Sequence, residues 1–600
     1  MQGRNLEDMV ERQDAASPLA DILRRYREER EIRLRTDSAG QYLQLKDPAA
    51  DVTDSHKPSN NSRDLVDEDV EVVIVGCGWG GIVAGVELRK AGVENIRMID
   101  KASGFGGVWS WNRYPGVACD TDAYIYMPLL EEMGVMPTAN YVSGDEILAH
   151  ATRVAHRFDL DQNALFETGV TEARWDEHAG RWTVSTDRGD VLRARFFMMA
   201  PGSLESPKVP NVPGIGSFLG KSFHSSRWDF EYTGGCSDGH LTNLRDKRVA
   251  VIGTGASAVQ CIPHLGKWAK HLYVFQRTPS AIDWRDERPT DEAWYKSQER
   301  GWQMRRIQNY TSLVGLEPVE VDLVNDWWTK RQFAALQHLK PDMSGQEIGD
   351  ILQAADIEAG EELRRRVSDI VHNPETAEGL KSWYQRYCKR PCFHDDYLQT
   401  FNLSNVTLVH TQGRGIERVT ETGIVANDRH YPVDCIIYST GFQLGAYADE
   451  PPVSLFGRDG ISLSEKWRDG ATTLHGFHIH GFPNFFLISI AQSAWGANLM
   501  HMLLEQGRHV AYIIAELMQR GVAVAEVSRT AEAAWVKHHE QLALNIAGVW
   551  ENCTPSFFNN EGNMTLKALR SGPYGNGVGA FCHQLEQWRA TGGLEGLELR

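Results

Sequence analysis

The chain has 600 residues, enough for several domains, which excludes a single small module. Hydrophobic residues make up 42% of the sequence, so the chain can bury a large core and is not disordered as a whole. The net charge of −18 excludes nonspecific binding to nucleic acid or to an anionic membrane surface.

The first 69 residues differ from the rest and predict an N-terminal helical extension. Residues 1–20 contain charges and no apolar run, so no secretory signal peptide is expected. Ser17 and Pro18 open an apolar stripe at positions 19, 22, 23 and 26, which is the pattern of an amphipathic helix. Residues 47–69 are polar and charged, as in a linker. We favour a helix that packs on the main body over one that binds a partner protein.

A strand, a glycine-rich turn, a helix and a second strand follow from residue 70. The predicted elements are a strand at 70–75, a helix at 82–91 and a strand at 96–99. Gly76, Gly78 and Gly81 have the spacing of the dinucleotide fingerprint G-x-G-x-x-G, which lets a pyrophosphate approach the helix N-terminus. Asp100 lies 24 residues after Gly76, where a carboxylate accepts hydrogen bonds from ribose hydroxyls.

A second cycle of the same kind begins at the predicted strand 248–252 and ends at the strand 272–275. Its turn reads Gly253, Thr254, Gly255, Ala256, Ser257. No acid occupies the ribose position; Arg277 does, and its guanidinium favours a 2′-phosphate, so NADPH is expected here rather than NADH.

Two dinucleotide sites with different ribose chemistry predict an electron relay between two cofactors. The acidic, N-terminal site is expected to bind FAD, and the sequence up to this point predicts an oxidoreductase that uses FAD and NADPH. A reductase and a monooxygenase both fit this pattern.

The remaining chain is predicted to contain a helical insertion and a buried uncharged segment. Residues 281–383 are rich in Trp and charge, with helical periodicity, and are expected to cover a cleft. Residues 481–504 carry no charge, but polar residues within them favour a buried strand (485–490), a loop and a helix over a membrane span. Nine scattered cysteines are expected to form neither a disulfide framework nor a metal site, as in a reduced cytoplasmic protein.

Two further motifs carry a resemblance to a known family. Phe218, Gly220, His224, Trp228 and Asp229 match the fingerprint F-x-G-x-x-x-H-x-x-x-W-[P/D] of type I Baeyer–Villiger monooxygenases. A second fingerprint of that family is matched by Gly106, Gly107, Trp109, Tyr114, Pro115, Gly116 and Asp120. From about residue 70 onward the chain therefore resembles this family, and the N-terminal extension is similar to that of the subgroup acting on large cyclic, macrocyclic or polycyclic ketones.

The resemblance implies an α/β fold with two Rossmann-like domains and a definite chemistry. The expected divisions are an N-terminal extension (1–69), an FAD domain (70–205 and 440–600), an NADP domain (206–280 and 385–439) and a helical insertion (281–384). In the family, NADPH reduces the flavin, which captures O2 as a C4a-peroxyflavin and converts a ketone to a lactone or ester.

The resemblance also implies roles for individual residues. Arg390 is the expected catalytic cation, because a permanent guanidinium stabilises the developing oxyanion, and Asp120 is expected to orient it. Lys389 is expected to bind the 2′-phosphate beside Arg277, and His224 to have a conformational role. Phe557 stands where shorter family members have a Trp that contacts the nicotinamide nucleotide. Further residues expected at the cofactors are Gly107, Val108, Trp109, Trp111, Tyr126, Val170, Thr278 and Gly441.

Three alternatives stay open from the sequence. An N- or S-monooxygenase would not need Arg390. A pyridine-nucleotide flavin reductase acting on disulfides would need a redox cysteine pair beside the flavin, and Cys388 and Cys392 are not placed beside a glycine turn. A nonenzymatic flavin-binding protein would not need intact fingerprints.

Overall fold

The computed structural model describes residues 18–45, 63–340, 342–443 and 453–600. The proposed absence of a signal peptide and most of the predicted linker fall on residues outside these ranges. The α-helices are Pro18–Arg33, Trp79–Lys90, Val108–Trp111, Ala123–Tyr126, Leu130–Met133, Gly144–Arg157, Phe230–Thr233, Ala256–Trp268, Glu292–Lys296, Trp302–Val314, Lys330–Leu336, Gly345–Ile370, Pro374–Leu380, Tyr397–Thr400, Leu463–Lys466, Leu499–Gln519, Arg529–Glu551, Leu566–Ser571 and Gly577–Thr591.

The larger sheet carries the first glycine turn. Its strands lie in the order Ser454–Phe456, Val170–Asp176, Arg181–Thr186, Val191–Met199, Asp67–Val75 and Ile96–Ile99, and Phe485–Leu487 also pairs with Val191–Met199. Strand Asp67–Val75 is parallel to both of its neighbours, and four of its last six residues are buried, which accounts for its nearly continuous apolar sequence. Helix Trp79–Lys90 covers this sheet and packs on helix Leu499–Gln519.

The second sheet is entirely parallel and carries the second glycine turn. Its strands lie in the order Val406–His410, His271–Gln276, Arg248–Ile252, Cys435–Tyr438 and Lys221–His224. The turn after Arg248–Ile252 therefore lies at the carboxyl ends of the central strands, where α/β sheets bind ligands.

A short antiparallel sheet joins the N-terminal extension to the chain between the two large sheets. Tyr42–Gln44 pairs with Ser206–Pro210, which pairs in turn with Phe442–Gln443. The preceding helix, Pro18–Arg33, buries Leu23 and Tyr26 against Ile357 of the insertion. The extension thus packs on the main body at two places.

The insertion is mainly helical, as the sequence predicts, with one short strand pair. Ile282–Asp283, at the start of the insertion, lies parallel to Cys392–Phe393, which follows shortly after its end. Two smaller sheets pair Arg418–Thr420, Gly423–Ala426 and Arg429–Pro432, and Ala525–Val527 with Leu597–Leu599. In the described ranges, every helix is too short or too polar to cross a bilayer.

Candidate active site

A cavity of about 490 Å³ lies between the two large sheets. It extends from the first glycine turn to the start of the second glycine-turn helix, and Arg390 and the pair Phe557 and Phe558 also line it. The sequence-predicted residues on its wall are Gly76, Gly78, Asp100, Gly107, Val108, Trp109, Trp111, Asp120, Tyr126, Val170, Ala256, Ser257, Arg390 and Phe557. The fold therefore brings residues from both dinucleotide motifs to one space.

The first glycine turn has the geometry of a phosphate-binding turn. Gly76 has φ of +110°, and a Cβ there would lie 2.4 Å from the Ala200 carbonyl oxygen. A Cβ at Gly81 would lie 1.9 Å from the Gly76 oxygen, so helix and strand approach closely only because both residues are glycine. The helix that follows has Gly78 as N-cap and no side-chain cap, which leaves its first N–H groups for a ligand.

Asp100 lies on the cavity wall but also holds the turn itself. Its carboxylate accepts hydrogen bonds from the backbone N–H groups of Cys77 at 2.6 Å and of Ala102 at 2.8 Å. Burial raises the pKa of Asp100, and these two hydrogen bonds oppose that shift. A carboxylate has about four acceptor positions, so two remain for ribose hydroxyls.

Arg390 and Asp120 form a two-point ion pair on the cavity wall. Nε of Arg390 donates to Oδ2 of Asp120 at 2.8 Å, and Nη2 donates to Oδ1 at 2.5 Å. Trp328 of the insertion donates from Nε1 to the Asp120 carbonyl oxygen at 2.6 Å, and its ring lies 5.3 Å from the guanidinium. The neighbouring Asp120 charge raises the pKa of Arg390 against the opposing effect of burial. Among the described residues, Nη1 of Arg390 has no hydrogen-bond acceptor.

Hydrogen-bonded aromatic side chains line the cavity around the Arg390–Asp120 pair. The Trp109 Nε1 donates to the Tyr126 hydroxyl at 3.0 Å, and burial raises the pKa of Tyr126, which keeps the phenol neutral. The Tyr114 hydroxyl donates to the Gln260 side-chain oxygen at 2.8 Å, and Gln260 in turn donates to the Ala118 carbonyl. Gln260 belongs to the second glycine-turn helix, so this chain of hydrogen bonds connects the two nucleotide regions.

The second glycine turn also leaves backbone donors open. Helix Ala256–Trp268 has Gly255 as N-cap without a side-chain cap, and a Cβ at Gly255 would meet no atom within 4 Å. The Thr254 hydroxyl donates to the Thr278 carbonyl at 3.0 Å, which ties the turn to the end of the next strand. The predicted residues Gly253, Thr254, Gly255, Thr278 and Gly441 are not among the described residues that line the cavity.

Arg277 lies in a cluster of charges that the N-terminal extension helps to build. Its guanidinium donates to the Gln41 side-chain oxygen and, at 3.3 Å, to Oε2 of Glu561. Lys389 is close enough for the Arg277 charge to act on it: burial first and Arg277 second lower the pKa of Lys389 to about 8. The extension therefore reaches the predicted 2′-phosphate residues as well as the main body.

The fingerprint residues Phe218, Gly220, His224, Trp228 and Asp229 are not among the described residues of the cavity wall. His224 is buried, its Nδ1 is 2.8 Å from the Ser226 hydroxyl, and burial lowers its pKa to about 3, so it is neutral. Asp229 pairs with Lys221 at 2.6 Å and caps the helix Phe230–Thr233. These contacts support the segment's conformation.

Comparisons with known proteins agree with this geometry. Residues 73–310 match the model of the pyridine nucleotide-disulphide oxidoreductase family. Neopentalenolactone D synthase from Streptomyces avermitilis is 48% identical over 96% of this chain and 98% of its own. A Baeyer–Villiger monooxygenase from Streptomyces coelicolor is 42% identical over 95% of each chain.

This chain belongs to the Baeyer–Villiger monooxygenases.

The solved structures that resemble this monooxygenase give the same assignment. A polycyclic ketone monooxygenase from the thermophilic fungus Thermothelomyces thermophila superposes with a TM-score of 0.90 at 36% identity, over 97% of this chain and 99% of its own. Complexes with FAD and NADP occur among the more distant matches. The expected class of enzyme and the two cofactors, FAD and NADPH, are thus confirmed. The uncapped helix N-termini at both glycine turns fit these cofactors.

Sequence reasoning missed one wall of the monooxygenase's cavity. Trp495, Ala497, Leu499, Met500 and Leu503 line it, and they lie in the uncharged stretch at 481–504. The expected strand there is shorter, Phe485–Leu487, and the following loop and helix carry the wall. The absence of charge over 24 residues was the available signal, since a wall that faces an apolar substrate needs none.

The sequence predicts no disulfide framework in a reduced protein, but one disulfide occurs among the described residues. Cys388 and Cys553 are bonded, with Cα atoms 5.0 Å apart although 165 residues separate them in sequence. Spacing along the chain could not indicate this pair, because two distant elements bring it together. The Ser556 hydroxyl also donates to the Cys388 carbonyl at 2.9 Å. In the described part of the chain, no cluster of metal-binding side chains occurs.

Proposed function

We propose that this monooxygenase converts a polycyclic ketone to a lactone, with Arg390 as the catalytic cation. The observation that carries the proposal is the Arg390–Asp120 pair on the cavity wall, in which Nη1 keeps its hydrogen-bonding capacity. Bound FAD, once reduced by NADPH, supplies the activation of O2.

Arg390 is proposed to stabilise negative charge on the reacting oxygens. The guanidinium stays protonated, since the adjacent Asp120 raises its pKa, so it offers a fixed charge and a free donor at once. Asp120 uses both oxygens to hold Nε and Nη2 and thereby fixes the direction of Nη1. We assign Asp120 the role of orienting Arg390.

The cofactor regions follow the two large sheets. We infer an FAD domain from residues 70–205 and 440–600 and an NADP domain from residues 206–280 and 385–439. Arg277 and Lys389 are proposed to bind the 2′-phosphate of NADPH, and Phe557 to cover the nicotinamide end. The ring of Phe557, 39% exposed, lies 4.1 Å from that of Phe558, and both face the cavity.

The substrate class rests on the apolar wall and on the relatives. Trp495, Leu499 and Phe558 present aromatic and aliphatic surface to the cavity, which suits a fused-ring carbon skeleton. Two relatives are named as a neopentalenolactone D synthase and a polycyclic ketone monooxygenase. We favour polycyclic over macrocyclic ketones on this ground.

Product analysis tests the proposal. The holoenzyme is incubated with NADPH, ¹⁸O2 and ketones of three kinds: small cyclic, macrocyclic and polycyclic. We expect a lactone with one ¹⁸O atom, formed fastest from a polycyclic ketone. An amine and a sulfide are incubated in parallel reactions. Oxygenation of either one, with no ester from any ketone, would overturn the proposal.

The disulfide does not support the alternative of a disulfide reductase. Cys388 and Cys553 are buried next to Tyr384 and Trp550 and are not among the described cavity-lining residues. A redox pair that exchanges electrons with a flavin has to contact it, and this pair does not line the cavity proposed for the flavin.

A further inference from the structure

The cluster around Arg277 contains a carboxylate at its centre. Glu561 is 6% exposed; its Oε1 accepts from Nζ of Lys208 at 3.0 Å and its Oε2 from Arg277 at 3.3 Å. Nζ of Lys208 also lies 3.9 Å from the centre of the Tyr42 ring. Among the described residues, no other carboxylate pairs with Lys208 or Arg277.

The cations of this cluster outnumber its anions. Lys208, Arg277 and Lys389 bring three basic groups to one place, and Glu561 supplies one negative charge. This excess of positive charge acts on Lys389: burial and the charge of Arg277 lower its pKa to about 8. A phosphate monoester, with a second pKa of about 6, brings nearly two negative charges and matches this excess better than a single carboxylate.

The segment that carries Glu561 is held in an unfavourable backbone conformation. Asn560 and Glu561 have φ of 48° and 56°, in the left-handed region that is unfavourable for residues other than glycine. The Glu561 N–H donates to the Ser556 carbonyl at 2.8 Å, which completes a tight turn between residues 556 and 562. The ion pairs to Lys208 and Arg277 offset the backbone cost, so the segment can leave when another anion takes those cations.

We propose that Glu561 is an internal counter-ion that occupies the 2′-phosphate subsite until NADP(H) displaces it, and that it thereby weakens the binding of NADP(H) without a matching effect on NAD(H). This inference rests on the proposed assignment of Arg277 and Lys389 to that subsite. Only a nucleotide with a 2′-phosphate can replace the carboxylate's charge in this subsite. NAD(H) has to bind beside an intact Glu561 pair or leave the cations uncompensated.

The position of Glu561 connects this exchange to the cavity. Phe557 and Phe558, which line the cavity, begin the same turn, and Ser556 binds the Cys388 carbonyl next to Lys389. Displacement of Glu561 therefore frees the end of the turn that carries two wall residues, while the buried Asn559 side chain still accepts from the Ser556 and Gly562 N–H groups. Binding of the phosphate is thereby coupled to the placement of Phe557.

Calorimetric titration of the oxidised holoenzyme with NADP⁺ and with NAD⁺ tests the proposal. Glu561→Gln removes the competing charge with little change in volume, so NADP⁺ should bind about tenfold tighter, the value of one charged hydrogen bond. NAD⁺ should change far less. Glu551→Gln, an exposed site at the end of a nearby helix, is the matched control and should leave both affinities unchanged.

A purely structural Glu561 predicts the opposite sign. If the carboxylate only orients Lys208 and Arg277, Glu561→Gln weakens NADP⁺ binding, and that result, or no change, overturns the proposal. Arg277→Ala distinguishes this failure from failure of the subsite itself. Unchanged NADP⁺ affinity in Arg277→Ala would mean that the phosphate binds elsewhere.

Hydrogen exchange of the wild-type holoenzyme gives a second test that needs no variant. The Glu561 N–H is protected by the Ser556 carbonyl in the structure. Saturating NADP⁺ should speed exchange in the peptide that covers residues 556–563, whereas saturating NAD⁺ should not. Equal exchange with and without NADP⁺ would show that Glu561 stays in place, and would overturn the proposal.

Discussion

Replacement of Arg390 by Ala should separate reduction of the flavin from oxygen transfer to the ketone. Reduction requires NADPH at the flavin, and the proposed role of Arg390 begins only after that step. Oxygen transfer requires a donor at the reacting oxygens, and Nη1 is that donor in the proposed mechanism. The variant should therefore be reduced by NADPH without air and, in air, should produce hydrogen peroxide and almost no ester.

The size of the loss follows from the geometry of the pair. Nε and Nη2 are used by Asp120, so Nη1 is the part of the guanidinium left for the reacting atoms. Removing one oriented donor to a developing oxyanion costs about 100- to 1,000-fold in rate, or ~2.7–4 kcal/mol. Arg390→Lys should recover little, because Asp120 would hold the single ammonium and no second nitrogen would remain.

Rapid-mixing absorbance measurements of flavin reduction, combined with mass spectrometry of products, give the two rates separately. Asp120→Asn is the matched variant: it keeps the Arg390 charge, loosens its orientation and should lose less activity than Arg390→Ala. Bound FAD and the melting temperature control for folding. Near-normal ester formation by Arg390→Ala would refute the mechanism.

Three further results are expected. The Lys389 pKa of about 8 means that the ammonium is lost as pH rises through 8, so NADP⁺ should bind more weakly above this pH; a calorimetric pH series should show no such step in Lys389→Met. Deleting residues 1–45 should lower the melting temperature and, because Arg33 donates to Thr278 at 3.0 Å, also weaken NADP⁺ binding; unchanged affinity would contradict the second effect. Cys553→Ser should lower the free energy of unfolding by up to roughly 5 kcal/mol in denaturant titration, since it opens a loop of 165 residues. A thiol reductant should lower the stability of the wild type in the same way and leave that of Cys553→Ser unchanged.

Local motifs made much of the fold predictable. Both glycine turns stand between a buried strand and a helix, and the strands Ile96–Ile99 and Arg248–Ile252 have the bounds that their apolar runs indicate. The helices of the insertion followed from their periodicity. These features are local, because each depends on neighbours within one element or one turn.

The parts that were missed depend on contacts between distant segments. Gln41 reaches Arg277 across 236 residues, and Cys388 reaches Cys553 across 165. Glu561 gave no sign in the sequence, since a single acid in a polar loop is ordinarily exposed. Its burial becomes visible only when the fold brings Lys208, from strand Ser206–Pro210, and Arg277, which follows strand His271–Gln276, to the same carboxylate.

The Cys388–Cys553 bond changes how the polypeptide is connected. A single backbone cut anywhere between residues 389 and 552 leaves both fragments covalently attached, so they migrate as one species in electrophoresis without reductant. The two segments that the bond joins, one before Arg390 and one before Phe557, would stay within reach of each other after such a cut. If the enzyme is expressed as two fragments divided in that interval, each fragment carries one of the two cysteines. In an oxidising buffer the fragments can therefore be joined again by the native disulfide.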